Sequence, residues 1–444
     1  MPEHHPRLSI LGIVIIAMAS FLLAPFTPLT LRIKVLGVSR LFGSFGNLHG
    51  EDTKVIPDTL FTEDLHYHAP SHQLFGASES EDKTRNTWFP PLTNWNEPES
   101  LGQGTIIVID ANALTATRLT LLNFKGPFNT HGIDIYSPPE DPSSIYIVAV
   151  NHLPNPAYYA APTRPKPSKI PQARSRLEIF HHKIGSTEAT HLRSVWHPLI
   201  RTPNDVYFQT PNEIYVTNDN FYRDGVMRLI EDLAYGKTAP RDLIHLKIAD
   251  PITQPLKSGG GVDDMAGVIG TVANKGIHNN NGLGHGKTPP SDIMICRTAI
   301  GQLLLAEVDK QHKPQLKIHE TIQLPCTLDN PSYFADPYVA KTGRDASGYV
   351  LAGLAQAVGF PNGLDPAMAV LVQPKVNTKS KLKDKDGNKW KQKVIFQDDG
   401  HILRTAITAV LVTMAPDDNN GKKPANLFVT GPLAKGVVVS RVDL

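Results

Sequence analysis

The run Ile145-Tyr146-Ile147-Val148-Ala149-Val150 is short, β-branched and apolar, and it ends at the turn-forming Asn151-His152-Leu153-Pro154. Six such residues are too few for a buried helix and suit one strand. Working outward, similar runs recur at Glu213-Ile214-Tyr215-Val216-Thr217 and at 105–109, 118–122, 292–295, 349–352, 408–413, 426–430 and 436–440. Helical spacing occurs once beyond the N-terminal segment, where Val226, Leu229, Ile230 and Leu233 recur at i, i+3, i+4 and i+7. Many short strands, 33 Gly, 37 Pro and no break in composition predict one all-β domain over residues 45–444. A β-propeller accommodates that length, because four-stranded blades around an axis leave only short edges. No repeat of sequence identity supplies the number of blades.

Composition narrows the partners. With 41% hydrophobic and 19% charged residues the chain can bury a large core. Its 44 basic and 42 acidic side chains leave no surplus to neutralise a phosphate backbone, which argues against nucleic acid as a partner. Two cysteines, Cys296 and Cys326, allow at most one disulfide and cannot build a Cys-rich zinc site. Any metal must therefore use oxygen or imidazole ligands.

Residues 1–44 read separately, as an apolar signal-anchor and linker. From Leu8 to Leu31 there is no charge, and Leu8 to Ala24 is almost wholly apolar. As a helix that stretch would rise about 25 Å, slightly less than a hydrocarbon core of about 30 Å. The reading is an N-terminal hydrophobic helix that contacts a membrane, placing the protein in the secretory pathway, anchored or secreted. Arg32, Lys34 and Arg40 outweigh Arg7, which opposes export of the body by the positive-inside rule.

Familiar motifs fail on inspection. Gly284-His285-Gly286-Lys287-Thr288 ends like a phosphate-binding loop, but Asn281 stands where a glycine is needed and Pro289-Pro290 forbids the following helix. No G-x-S-x-G elbow occurs. Asp384-Lys385-Asp386-Gly387 starts like a calcium loop without the closing Glu of an EF-hand. The lysine-rich stretch from Lys375 to Lys393 reads as a solvated hairpin.

Three side-by-side oxygen pairs remain: Glu63-Asp64, Asn204-Asp205 and Asp329-Asn330, each near the start of a strand-like run. Neighbours on an extended chain point to opposite sides, so such pairs suit two ions at different depths of an axial channel. Taken singly, each pair is an ordinary turn dipeptide.

Read in order, Thr62-Glu63-Asp64-Leu65, Asn129-Thr130-His131-Gly132-Ile133, Val150-Asn151-His152, Pro203-Asn204-Asp205-Val206, Thr217-Asn218-Asp219, Ala273-Asn274-Lys275-Gly276-Ile277 and Leu328-Asp329-Asn330 resemble the serum paraoxonase/arylesterase family of six-bladed propeller hydrolases. The closing strands at 405–413 and 426–442 continue the resemblance. It implies a six-bladed β-propeller that hydrolyses small carboxylic esters or lactones and holds two calcium ions. The catalytic ion would be held by Glu63, Asn204, Asn274, Asp329 and Asn330, and a structural ion by Asp64, Asp205 and the carbonyl of Ile133. His131 would act as general base with His152 behind it.

The chain also departs from the family. Asn47-Leu48 and Val442-Asp443 stand where a closing disulfide is expected, so ring closure rests on strand pairing. Lys275 interrupts the pattern at Asn274, leaving Asn279 to Asn281 as substitutes. Residues 236–273 have no counterpart and are expected to form a loop over one face. Two alternatives to the hydrolase stay open: a non-catalytic calcium-stabilised binding propeller, and a strictosidine-synthase-like propeller enzyme.

Overall fold

A computed structural model describes residues 29–40, 45–99, 101–163, 165–166, 169–233, 241–250, 262–375, 389–416 and 422–444. The apolar run 8–24 and the tip of the lysine-rich hairpin lie outside the described residues. No helix among the described residues is long and apolar enough to cross a membrane.

The chain forms a six-bladed β-propeller. Blade 1 runs outward from Leu65–His68 through Gln73–Ser78 and Thr105–Asp110 to Thr115–Arg118. Blade 2 starts at Thr130–Tyr136, blade 3 at Pro203–Thr210, blade 4 at Asn280–His285, blade 5 at Ser332–Phe334 and blade 6 at Thr408–Thr413. Each of these inner strands lines the axis, and successive strands pair antiparallel. Blade 6 takes its outermost strand from the other end of the chain: Thr53–Ile56 pairs with Val437–Asp443, in register from Thr53↔Ser440 to Ile56↔Val437. The ring is closed by that ladder, and Cys296 and Cys326 are both buried and free.

Burial explains why the strand runs are apolar throughout. A blade is covered on both faces by its neighbours, so odd and even residues of one strand enter different cores. Ile106 and Val108 pack with Ile147 and Phe180 between blades 1 and 2. Ile107 and Ile109, one residue along, pack with Val410 and Phe428 between blades 1 and 6. The same division separates Met294 and Cys296 from Ile293 and Ile295. Among the described residues there are six such clusters, one per junction between blades.

The expected run 118–122 is split. Thr115–Arg118 ends blade 1, and Thr120–Leu122 leaves to pair parallel with Glu188–Val195 at the edge of blade 2. Nor is 236–273 a loop throughout: Asp242–Ile248 and Val268–Lys275 are the outer strands of blade 3. Six of the eight residues of Val268–Lys275 are at least partly exposed, as befits a strand at the edge of a blade.

The helix expected from Val226, Leu229, Ile230 and Leu233 is present as Gly225–Leu233, but its orientation is reversed. Val226 and Leu229 are 72% and 60% exposed, whereas Glu231 is buried. The Glu231 carboxylate accepts from the Phe221 and Tyr222 amides and from Arg241 Nε, which satisfies its charge inside.

Candidate active site

The oxygen pairs sit at one mouth of the axis because each precedes or opens an inner strand. Glu63-Asp64 precedes Leu65–His68, Asn204-Asp205 lies at the start of Pro203–Thr210, and Asp329-Asn330 precedes Ser332–Phe334. Asn281 is the second residue of Asn280–His285. Two glycines permit the close approach. A Cβ on Gly132 would lie 2.5 Å from Asp205 Oδ1, and one on Gly282 would lie 2.5 Å from the Cα of Asn330.

Glu63, Asn204, Asn281 and Asp329 line a cavity of about 300 Å³ together with His131 and Phe89. Asn330 joins them from the side: its Nδ2 donates to Glu63 Oε1 at 3.2 Å and to Thr408 Oγ1 at 2.9 Å. Five buried oxygens of this group, Glu63 Oε2, Asn204 Oδ1, Asn281 Oδ1, Asp329 Oδ1 and Asn330 Oδ1, have no hydrogen-bond partner among the described residues. An unmet buried polar atom costs about 1–3 kcal/mol, so five together cost about 5–15 kcal/mol, as much as a whole domain's stability. Such a cluster calls for an occupant.

The electrostatics agree. Burial, then the neighbouring Asp64 carboxylate, push the Glu63 carboxyl up to about 8. Burial, then Glu63 and Asp64, raise Asp329 well above the usual carboxylate range. These carboxyls lack a counter-charge that a cation would supply. Two carboxylates and three neutral amides form an all-oxygen donor set of the kind a hard divalent cation such as calcium accepts, and the residues present fit that ion. Among the described residues no three His, Cys, Asp or Glu side chains converge as a metal site, so amides are indispensable to this set.

Asn274 does not join the cluster. Its Nδ2 donates to the Leu316 carbonyl at 2.8 Å and its Oδ1 accepts from the Leu316 amide at 2.9 Å. It ties blade 3 to the outer strand of blade 4, while Asn281 lines the cavity. Lys275 follows Asn274 on the outermost strand of blade 3, whereas Asn281 lies on the inner strand of blade 4.

His131 and His152 meet beside the oxygens. His152 Nε2 lies 3.1 Å from His131 Nδ1, and His152 Nδ1 lies 2.8 Å from Ser175 Oγ. His131 Nε2 is 3.6 Å from Glu63 Oε1. Burial, then His152 and Arg85, hold His131 well below its ordinary value, and burial, then Arg85, push His152 down to about 3. Both shifts favour the neutral imidazole. Phe89 meets both edge-on, at 5.1 and 5.4 Å between centroids. The buried Arg85 stacks on Phe89 at 3.9 Å and donates to the Thr130 and Phe61 carbonyls. Arg85, Phe89 and Ser175 carry no local motif, so only the closed ring reveals them.

The lower group differs. Asp64, Asp205 and the Ile133 carbonyl do lie together, but a side chain already serves them. His66 Nε2 is 2.9 Å from Asp64 Oδ2, and the Ile133 carbonyl is within hydrogen-bonding reach of the same ring. Asp205 accepts from the Val206 amide at 2.7 Å and the Leu283 amide at 2.6 Å. None of these oxygens is left without a partner. The residues present therefore do not fit a second ion as they fit the first. A larger cavity, about 570 Å³, opens at the opposite end past His66, Tyr136, Phe208 and His285, and none of its lining side chains carries a buried orphaned donor or acceptor.

No family model matches the chain. Curated relatives are similar over part of it. Serum paraoxonase/arylesterase 2 of Gallus gallus is 28% identical over 106 residues, 24% of this chain and 24% of the relative. Serum paraoxonase/lactonase 3 of Oryctolagus cuniculus is 26% identical over 147 residues, 32% of this chain and 35% of the relative. Serum paraoxonase/arylesterase 1 of Homo sapiens is 24% identical over 139 residues, 31% and 33% respectively. The matches span about a quarter to a third of the length of these relatives. Among solved structures, luciferin-regenerating enzyme is 10% identical with a TM-score of 0.42, over 88% of this chain and 94% of that one. Over the stretches matched, this chain is similar to the serum paraoxonase/arylesterase proteins, and the remainder stands on its own geometry.

Proposed function

We propose that the protein is a calcium-dependent hydrolase of small carboxylic esters or lactones, with Glu63, Asn204, Asn281, Asp329 and Asn330 holding the ion. The reading is carried by one observation: five buried oxygens without a partner among the described residues gather at a cavity lined by Glu63, Asn204, Asn281, Asp329 and His131, the last backed by His152. When bound, the cation supplies polarisation of the substrate carbonyl and stabilises negative charge on its oxygen.

The chain's own residues supply the rest. His131 Nε2, on the side of Glu63, takes the proton of a water molecule directed at the carbonyl carbon. That role needs the tautomer in which His131 Nδ1–H donates to His152 Nε2 and His152 Nδ1–H donates to Ser175 Oγ. Buried rings gain a proton reluctantly, so His131 passes it on to the leaving oxygen rather than storing it. Phe89 fixes both rings, and the apolar Leu328 and Phe360 on the cavity wall suit the carbon skeleton of a small ester.

The test is hydrolysis of an aryl acetate and an aliphatic lactone, with and without excess chelator, in the wild type, Glu63→Gln and Asn204→Ala. Turnover that disappears with chelator and in both variants is expected. Full activity in excess chelator would overturn the reading.

A further inference from the structure

Below the oxygen cluster the inner strands carry a second ionic layer made wholly of side chains. Asp64, Asp134, His66 and His285 are linked through it. His66 Nε2 is 2.9 Å from Asp64 Oδ2, its Nδ1 is 3.2 Å from Asp134 Oδ1, and Asp134 also faces His285 Nε2 at 2.9 Å. Both carboxylates are buried, at 2% exposure or less.

We infer that the side chain of His66 fills this lower layer, occupying the position at which the family resemblance expects a second calcium, so that the chain takes one ion and not two. The inference rests on the proposed function only for the count of one in the upper cluster.

Three observations carry it. The ring joins Asp64 to Asp134 across two blades, which is the bridging a divalent ion would otherwise perform. It also meets the Ile133 carbonyl, so two of the three groups expected to bind an ion are taken by one imidazole. Finally, the upper oxygens are orphaned whereas those of Asp64, Asp134 and Asp205 are all engaged.

Asp205 pulls the other way. Burial, then Asp64 and Glu63, raise it well above its ordinary value, and among the described residues no cationic side chain pairs with it. An ion that displaced His66 would use Asp205, and that is the competition to measure.

The experiment counts bound calcium per chain, by elemental analysis after gel filtration, in wild type, His66→Ser, His66→Lys, Asn281→Leu and Asp205→Asn. One ion is expected in the wild type and in His66→Lys, which keeps a side-chain donor between the two carboxylates. Two are expected in His66→Ser, with a thermal midpoint that rises on adding calcium beyond the first equivalent. The wild-type ion should be lost in Asn281→Leu and kept in Asp205→Asn. Two ions in the wild type, equal counts in wild type and a folded His66→Ser, or a single wild-type ion lost only in Asp205→Asn would overturn the inference. If His66→Ser does not fold, the wild-type count and its loss in Asn281→Leu decide. No ion in the wild type would sink the proposed function instead, while a gain of one in His66→Ser would still support the resident histidine.

Discussion

His152 Nε2 lies 3.1 Å from His131 Nδ1, so the ring nearer the oxygens is oriented by the ring behind it. His131→Gln is expected to lower kcat by about 10²- to 10⁴-fold, the usual contribution of a positioned base. His152→Gln should lower it less, because the base survives and only its orientation is lost. Calcium affinity should stay within a few-fold in both, measured by titration calorimetry. A large fall in affinity in either variant would assign the pair a role in ion binding.

The acid side of the stability profile follows from His152. Its imidazole titrates near 6.5 when the chain is unfolded and at about 3 when folded. Between those values the unfolded state binds the proton and the native state does not. Stability is therefore lost as pH falls from about 6.5 toward about 3. Thermal midpoints recorded from about pH 7 to about pH 4 should decline in the wild type and decline less in His152→Gln. Equal slopes would contradict the burial of a neutral ring.

Asn281 and Asn274 separate by phenotype. Asn281→Ala removes one oxygen donor to a cation, worth about 1.5–3 kcal/mol, and so weakens calcium binding by about 10- to 100-fold. Asn274→Ala leaves the Leu316 amide and carbonyl unmet and lowers stability by about 1–3 kcal/mol, with calcium affinity unchanged. Denaturant unfolding in chelator and calcium titration read the two effects apart.

Gly282→Ala should injure both stability and binding. The added Cβ would lie 2.5 Å from the Cα of Asn330 and 2.6 Å from its Oδ1, so blades 4 and 5 must part. Overpacking of this kind costs about 1–3 kcal/mol. Weaker calcium binding together with a lower midpoint is the expected pair of results, and a wild-type calcium isotherm would show that the two blades need not touch here.

Ring closure depends on Thr53–Ile56. Ile56 is 2% exposed and packs with Leu74, Val410 and Phe428. Ile56→Asp places an unpaired charge in that core and is expected to cost about 3–5 kcal/mol. A thermal midpoint within a few degrees of wild type would show that closure is carried elsewhere.

Much of the architecture was legible before the ring was seen. Inner and middle strands are buried on both faces, so they read as continuous apolar runs such as 105–109 and 145–150. Outermost strands do not: Leu316–Gln323, the edge of blade 4, is largely exposed. Asp242–Ile248 is paired on both sides and buried almost throughout, yet Asp242, His245 and Lys247 interrupt its apolar run. The helix Gly225–Leu233 was visible from its spacing, but which face it buries was decided by Arg241 and the Phe221 amide meeting Glu231.

Local pattern determined where strands begin and that oxygen-bearing pairs stand at those beginnings, because both are properties of a few consecutive residues. Which oxygens converge was settled only by the closed ring. Alternate residues of a strand point in opposite directions, so a shift of one position in register reverses what each side chain faces. Asn281 rather than Asn274, and an imidazole at residue 66 beneath the cluster, are consequences of how six blades pack around one axis, which no short stretch of the chain encodes.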